Sequence, residues 1–379
     1  MCGIFGLINN NSNLVSDKIM QVMASRMIHR GPDDEGIVTG GHWAIGMRRL
    51  SIIDLEGGHQ PISTLDETVH LVANGEIYNY RELRADLINL GYSFKTNSDV
   101  EVIIHLYEEY GYDAIHHLNG MFAFALFDEK KNTLWIARDR LGIKPLFYGW
   151  SNDGFCFSSE LTGLATILES NLCPKAAVDF LGYSYVPAPD TLFQGIKKLM
   201  PGEEMMLVNG KATFNQYWKC DISERWTGGV GNAVEQLDEL LKDSIKLQLI
   251  SDVPVGVFLS GGVDSSAIAS YAAEYINGTP IDTFTIDFEG KKGKDAQFAS
   301  EVSSQLGTNH HVIKVDAQDQ FDALEELISL MDEPMSDSAI VPTYMLSKAA
   351  REKGMKVLLS GAGGDEIFGG YPRHFPSKK

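Results

Sequence analysis

Cysteine stands second in this chain of 379 residues, in Met1-Cys2-Gly3-Ile4-Phe5-Gly6. Removal of Met1 would expose the α-amine of Cys2, whose ordinary pKa of roughly 7.7–8 suits a general base near neutral pH. One residue would then carry both nucleophile and base, as in hydrolases built on an N-terminal threonine or cysteine. Alone, Cys2 is more simply an incidental residue at a chain end, so its company decides. Asn74-Gly75-Glu76 can offer a side-chain amide and a backbone N–H to a developing oxyanion, although Asn-Gly is equally an ordinary turn. Arg49 can hold a carboxylate through two parallel N–H bonds. Asp99, in Ser98-Asp99, can meet an ammonium group or cap a helix.

A second set of residues points to phosphate. Ser260-Gly261-Gly262-Val263-Asp264-Ser265-Ser266 follows an apolar run and opens a helical pattern. Glycines let the backbone approach phosphate oxygens, and a helix N-terminus favours an anion. Asp264 would repel bare phosphate, so its presence calls for a bridging Mg²⁺. The loop lacks the Gly-Lys-Ser/Thr ending of a Walker A motif. Leu359-Ser360-Gly361-Ala362-Gly363-Gly364-Asp365-Glu366 is a second Gly-rich loop after a strand pattern.

The elements that must position these residues change character along the chain. Strand patterns at Ile4–Ile8, Val69–Ala73, Met121–Asp128 and Leu134–Arg138, the last two as a hairpin, mix with helical patterns at Val15–His29 and at Tyr80–Tyr110, broken near Gly91. That mixture predicts layered α and β elements. A Gly-rich stretch at Trp226–Gly231 reads as a linker. Beyond it, strands at Val255–Leu259, Thr283–Ile286, His311–Val315 and Lys356–Leu359 alternate with helices, which predicts an open parallel sheet with ligands at the strands' carboxyl ends. The expected domains are 2–206 and 232–379, joined by a connecting segment, 207–231.

Composition bounds the rest. A content of 44% hydrophobic and 22% charged residues is that of globular domains. A net charge of −19 argues against a nucleic-acid partner, because phosphate neutralisation needs clustered Lys and Arg. No apolar run approaches the roughly 20 residues of a membrane span, and the N-terminus lacks the regions of a signal peptide; a cytoplasmic protein is expected. The four cysteines, Cys2, Cys156, Cys173 and Cys220, form neither a metal-binding pair nor a disulfide framework. Cys156 is expected to be buried filler.

Read together, the strings of the first half resemble the class II glutamine amidotransferase domain. They are Met1–Gly6, His29-Arg30-Gly31-Pro32-Asp33, Arg49-Leu50-Ser51-Ile52, Asn74-Gly75-Glu76-Ile77-Tyr78-Asn79, Ser98-Asp99, Gly120-Met121-Phe122-Ala123-Phe124 and Arg138-Asp139-Arg140-Leu141-Gly142. The resemblance implies the αββα sandwich of N-terminal nucleophile hydrolases. It makes Cys2 the nucleophile and Asn74 and Gly75 the oxyanion donors, with Arg49, Leu50, Ile52, Glu76 and Asp99 completing a glutamine pocket. The second half is similar to the α/β ATP-pyrophosphatase domain of the glutamine-dependent asparagine synthetase family, also at Asp332-Glu333-Pro334 and Ala339-Ile340-Val341-Pro342. That implies ATP held by Leu259, Ser260, Gly261, Gly262, Asp264, Ser265, Ser266, Ile286, Ser360 and Gly361, and Mg²⁺ held by Asp264 and Asp365. Glu366 is expected to face an aspartate site.

The expected reaction converts aspartate, glutamine and ATP to asparagine, glutamate, AMP and pyrophosphate. Two departures are noted. Ala362 stands where the family carries an acidic residue that supports the acyl-adenylate intermediate. The chain stops at Lys379, where the family continues through a helical region that supplies a lysine. A truncated chain that makes asparagine poorly is therefore expected. The alternatives are an amidotransferase for another carboxylate, such as an acidic sugar, and a glutaminase or nucleotide-binding protein with an impaired synthetase site. Sequence leaves the oligomeric state open, a homodimer among the options.

Overall fold

Ile4 and Phe5 point to opposite faces of strand β1 (Gly3–Asn9), and each lies in a different core. The computed structural model describes residues 1–10, 13–276, 279–289 and 294–371. By internal contacts the chain forms two units, Met1–Arg225 with Asp332–Ser336, and Trp226–Met331 with Asp337–Lys379.

In the first unit β1 is followed by β2 (Asp34–Thr39), β3 (Trp43–Arg49), β4 (Ile62–Ser63), β5 (Val69–Ile77), β6 (Gly120–Asp128), β7 (Thr133–Arg138), β8 (Phe147–Trp150), β9 (Gly154–Ser158), β10 (Ile196–Lys198), β11 (Glu203–Val208) and β12 (Lys211–Gln216). They make two six-stranded antiparallel sheets, ordered β10-β8-β9-β1-β3-β2 and β12-β11-β7-β6-β5-β4. Ile4, Ile45 and Met47 of one sheet meet Val72, Ala125, Phe127 and Ile136 of the other in one buried cluster. Phe5 and Leu7 turn outward to Met20, Met23 and Ala24 of helix Asp17–Arg26 and to Leu161 and Leu164 of helix Leu161–Ile167. Helix Glu101–Tyr110 buries Val102 to Tyr107 beside the second sheet. This is the expected αββα arrangement, and the period-2 alternation of the strands generates it. Cys156 is buried, as expected.

Two expectations are corrected. The first unit does not end at 206: that position falls inside β11, which pairs with β12 through an Asn209-Gly210 turn with both residues at positive φ. The expected linker at 226–231 is partly helix, since helix Gly229–Gln248 begins within it. The helical pattern Tyr80–Tyr110 is broken near Gly91, as expected, into helices Tyr80–Asn89 and Glu101–Tyr110; the Glu101 carboxylate takes the N–H groups of Lys95 and Thr96 and holds residues 90–100 as a loop.

The Asp332-Glu333 pair belongs to the first unit. The Asp332 carboxylate accepts from the N–H groups of Leu161 and Thr162, capping that helix, and Glu333 pairs with Lys198 at 2.6 Å.

The second unit holds a four-stranded parallel sheet of β13 (Val255–Phe258), β14 (Asp282–Phe288), β15 (Asn309–Val315) and β16 (Val357–Leu359), ordered β15-β14-β13-β16. Val257, Leu259, Ala269, Ala272 and Ile281 form its core. Order reverses at β13, which opens a crevice at the strands' carboxyl ends. The expected end of the second domain, 379, lies outside the described residues, which stop at Tyr371.

Candidate active site

The register that pairs Gly3 with Arg48 carries Cys2 to the end of β3, where the chain turns through Leu50. The Leu50 N–H donates to Cys2 Sγ over 3.3 Å, and the Leu50 carbonyl oxygen lies 3.6 Å from the same sulfur. On β5, Val72 faces the inter-sheet core that Cys2 borders, so Asn74 and Glu76, two and four residues on, share its face. Asn74 is buried, yet its Nδ2 has no hydrogen-bond partner. A buried orphan donor is costly unless a ligand atom is to meet it. Gly75 sits where a Cβ would come within 2.3 Å of the Met121 carbonyl oxygen, so no side chain can separate β5 from β6 there.

Arg49 is held by one edge only. Its Nη2 donates to the carbonyls of Ile53 and Asp54, both at 2.9 Å, while the buried Nη1 has no partner. Asp99 is not the cap of the following helix, whose N-cap is Val100 with no side-chain bond. Instead its Oδ2 accepts from Ile77 N–H at 2.7 Å, fixing it beside Glu76. Burial pushes the Glu76 carboxyl well above its usual range, with Asp99 adding to the rise and Lys144 and Arg49 opposing it. Burial likewise lifts Asp99 to about 6 against the N–H of Ile77. Two desolvated carboxyls side by side make a receptor for a cation. Ile52 lies half-buried in the bend after Leu50, and Leu50 reaches Cys2 through its backbone.

Two basic residues given no role by the sequence also stand here. Arg30 Nε donates to the Cys2 carbonyl at 3.0 Å, and the Arg30 carbonyl accepts from the terminal amine of Met1 at 3.1 Å. Glu160 steadies it, with its Oε1 3.4 Å from Arg30 Nη1 and 2.8 Å from His29 Nε2. Lys144 is buried, and it acts electrostatically on both Glu76 and Cys2. The only sequence signal for Arg30 is its place in Arg30-Gly31-Pro32; Lys144 carries none. Burial pushes the Cys2 thiol up, with Leu50 N–H, the terminal ammonium and Lys144 pulling it down.

In the second unit a cavity of about 750 Å³ opens at the carboxyl ends of β13, β14 and β16. Leu259, Ser260, Gly262, Asp264, Ser265, Ile286, Gly361, Ala362 and Asp365 line it. Gly261 has φ 77°, and a Cβ there would lie 2.7 Å from Ala299 N, so only glycine fits the turn into helix Val263–Tyr275. Ser260 Oγ and Ser265 Oγ are 2.9 Å apart and lock the loop. Ser266 continues the helix and Ser360 bonds back to Ala362 N–H at 3.4 Å; neither lines the cavity. Glu366 does not line it either: it is exposed and accepts from Tyr371 at 3.0 Å.

The cavity's charged lining consists of Asp264, Asp287, Asp295 and Asp365, with no Lys or Arg among the described residues. A Cβ at Gly364 would lie 2.6 Å from Asp264 Oδ2, so the glycine lets that carboxylate rest against the second loop, next to Asp365 in sequence. Among the described residues no three His, Cys, Asp or Glu side chains form a metal cage. Asp264 and Asp365 fit a hard cation that draws its other ligands from phosphate and water.

Residues 1–218 match the family described as a glutamine amidotransferase domain, and residues 236–379 match asparagine synthase. The chain is 37% identical over 376 residues to asparagine synthetase (glutamine-hydrolyzing) 1 of Bacillus subtilis (strain 168), an alignment covering 98% of this chain and 59% of that one. It is 35% identical over 385 residues to the asparagine synthetase (glutamine-hydrolyzing) of Sandersonia aurantiaca, covering 98% and 67%. The chain thus spans three-fifths to two-thirds of the length of these relatives.

Proposed function

Because the chain belongs to the glutamine-hydrolysing asparagine synthetase family, we propose that it hydrolyses glutamine at Cys2 and activates the aspartate side-chain carboxylate with Mg-ATP in its second unit. The observation that carries the first half is the buried, unpartnered Asn74 Nδ2 on the strand face that Cys2 borders. In this account Arg49 Nη1 takes the α-carboxylate of glutamine, and Glu76 and Asp99 take its ammonium. The Cys2 thiol gives its proton to its own α-amine and attacks the side-chain amide carbon. Asn74 Nδ2 and Gly75 N–H hold the oxyanion. Collapse expels ammonia, protonated by the same amine, and leaves a glutamyl thioester that water opens to glutamate by the same steps.

In the second unit the Ser260–Ser265 loop cradles the phosphates, and Leu259, Ile286 and Gly361 border the nucleotide. Asp264 and Asp365 would hold Mg²⁺, which supplies the charge neutralisation that an all-acidic cavity lacks. Attack of the aspartate carboxylate on the α-phosphorus releases pyrophosphate; ammonia then displaces AMP and yields asparagine. Ala362 contributes no acidic group at this cavity, so synthesis is expected to lag glutamine hydrolysis. Parallel measurement of glutamate, asparagine and pyrophosphate from glutamine, aspartate and Mg-ATP tests this. Pyrophosphate release that depends on another acceptor carboxylate, and not on aspartate, would overturn the choice of substrate.

The carboxyl pair gives a pH signature. Below about pH 6 Asp99 is protonated and one charge facing the substrate ammonium is lost. The KM for glutamine should rise about tenfold between about pH 7.5 and pH 5. The same shift is a stability statement. The folded pKa of Asp99 is raised above its ordinary value, so its neutral form favours the fold at low pH, and that stability disappears as pH rises through about 6. Asp99→Asn, which keeps an acceptor for Ile77 N–H, should therefore stabilise the fold above pH 7 by on the order of 2 kcal/mol. It should simultaneously weaken glutamine binding. A flat KM profile, or no gain in melting temperature, would show Asp99 to be an ordinary structural acceptor.

A further inference from the structure

Arg49 and Asp99 come from different parts of the chain, and one carboxylate joins the segments that carry them. Arg49 ends β3, and its Nη2 donates to the carbonyls of Ile53 and Asp54, each at 2.9 Å. Asp54 bends the chain there: its φ is 55°, a conformation that Asp and Asn adopt more readily than other residues with side chains. The Asp54 carbonyl also accepts from Gly58 N–H at 3.0 Å. A Cβ at Gly58 would lie 2.2 Å from Arg49 Nη2, so the turn closes directly on the guanidinium. The Asp54 carboxylate reaches in two directions. Its Oδ1 takes Gly57 N–H at 3.1 Å within the turn, and its Oδ2 takes Asn97 N–H at 2.7 Å, 43 residues away in the chain. Asn97 leads directly into Ser98 and Asp99, which are both buried. On the other side of the same loop, Glu101 holds the N–H groups of Lys95 and Thr96.

Resting on the glutaminase reading above, we infer that Asp54 is a positioning residue that fixes the carboxylate clamp and the ammonium receptor of the glutamine pocket relative to each other. The α-carboxylate and α-ammonium of glutamine branch from one carbon. Arg49 Nη1 and the Glu76–Asp99 pair must therefore stand at one separation to engage both groups at once. Asp99 is anchored to the end of β5 through Ile77 N–H, and Arg49 is anchored to the turn at 53–58. Asp54 ties that turn to the Asp99 loop: its carbonyl orients the guanidinium, and its side chain holds Asn97. Receptors fixed in advance spare the ordering that binding would otherwise require. A ligand with only one of the two groups has no need of that fixed separation. Asp54 thus acts through Arg49 and Asp99 and takes no part in the chemical steps. An aspartate that served its own turn alone would need only the bond to Gly57 N–H; the shorter bond to Asn97 is what the positioning role explains.

The test compares L-glutamine with 4-carbamoylbutanoate, which keeps the side-chain amide and a carboxylate and lacks the α-ammonium. Asp54→Gly removes the carboxylate, keeps the carbonyl that Arg49 uses, and places at φ 55° the residue most at ease there. It should raise KM for L-glutamine about tenfold with kcat within about threefold, while the inhibition constant of 4-carbamoylbutanoate changes by less than about threefold. Asp54→Asn, which keeps one acceptor, should fall between parent and Asp54→Gly. An equal shift for both ligands, or a loss in kcat alone, is what a merely structural turn residue would give, and either overturns the inference. Hydrogen exchange supplies a readout without turnover. In Asp54→Gly the backbone amides of residues 95–99 should exchange about tenfold faster, together with those of residues 55–58. Faster exchange confined to residues 55–58 also overturns it. If Asp54→Gly does not fold, Asp54→Asn, read by both measurements, decides. A parent chain that hydrolyses no glutamine, yet whose exchange at residues 95–99 depends on Asp54, would sink the functional reading and keep the tie between the two segments. Glutamine hydrolysis with exchange confined to the turn would do the opposite.

Discussion

Cys2→Ala is expected to abolish glutamate release from glutamine, a loss of at least about 10³-fold, with the fold intact. The sulfur is held by Leu50 and borders the inter-sheet core without filling it, so its removal leaves only a small void at the rim. No other thiol can substitute: Cys156 is buried in β9, and Cys173 and Cys220 lie elsewhere in the chain. Retention of Met1 should be nearly as damaging. The Cys2 nitrogen would then be a peptide N–H with no basicity, and the terminal amine would sit on Met1 against the Arg30 carbonyl. A purified Cys2→Ala protein that releases glutamate at the parental rate would refute the nucleophile assignment.

Asp264→Asn should weaken Mg-ATP binding by at least about tenfold and remove most of its dependence on Mg²⁺. The reason is the charge of the cavity, whose charged lining groups are all carboxylates. Polyphosphate can enter only with a cation, and Asp264 is the carboxylate that the Gly364 backbone leaves room for. The competing view makes Asp264 an acidic residue in the first turn of helix Val263–Tyr275, worth about 0.3–1 kcal/mol to that helix. Calorimetric titration with ATP, with and without Mg²⁺, separates the two. Unchanged affinity and unchanged Mg²⁺ dependence, with a slightly lowered melting temperature, would leave only the helix role. Glutamine hydrolysis should be unaffected, because Asp264 belongs to the other unit.

Much of this was legible in the residues because the chemistry is carried by short strings at strand ends. Asn74-Gly75-Glu76 ends a continuous buried run, and Ser260-Gly261-Gly262 follows a short apolar strand, so pattern and chemistry agree on where each motif stands. The hairpin of β6 and β7 is written in its two apolar runs and turned at Asn132, at positive φ. That the first unit runs on past 206 is written in Asn209-Gly210, whose turn joins β11 to β12. A boundary drawn from composition cuts through that hairpin, since β12 is largely exposed and reads as linker. What sequence does not carry is tertiary neutralisation. Whether Asp99 caps a helix or faces a substrate depends on Ile77 N–H, twenty-two residues away in the chain. Residues 139–144 lie against β6 only because Asp139 folds them back onto Phe122. The short strands β4, β8 and β10 lack the length for a periodic signal, and their pairing comes from the sheets they join.

The most direct test of the central claim is to trap the intermediate. Purified protein beginning at Cys2 is mixed with glutamine labelled in the amide nitrogen and quenched with acid during turnover. The digest is then searched for a glutamyl thioester while labelled ammonia is measured in parallel. The account predicts the adduct on the Cys2 peptide alone, with labelled ammonia and glutamate released in equal amounts. Hydrolysis at the same rate with no adduct on Cys2, or an adduct on another residue, would contradict it.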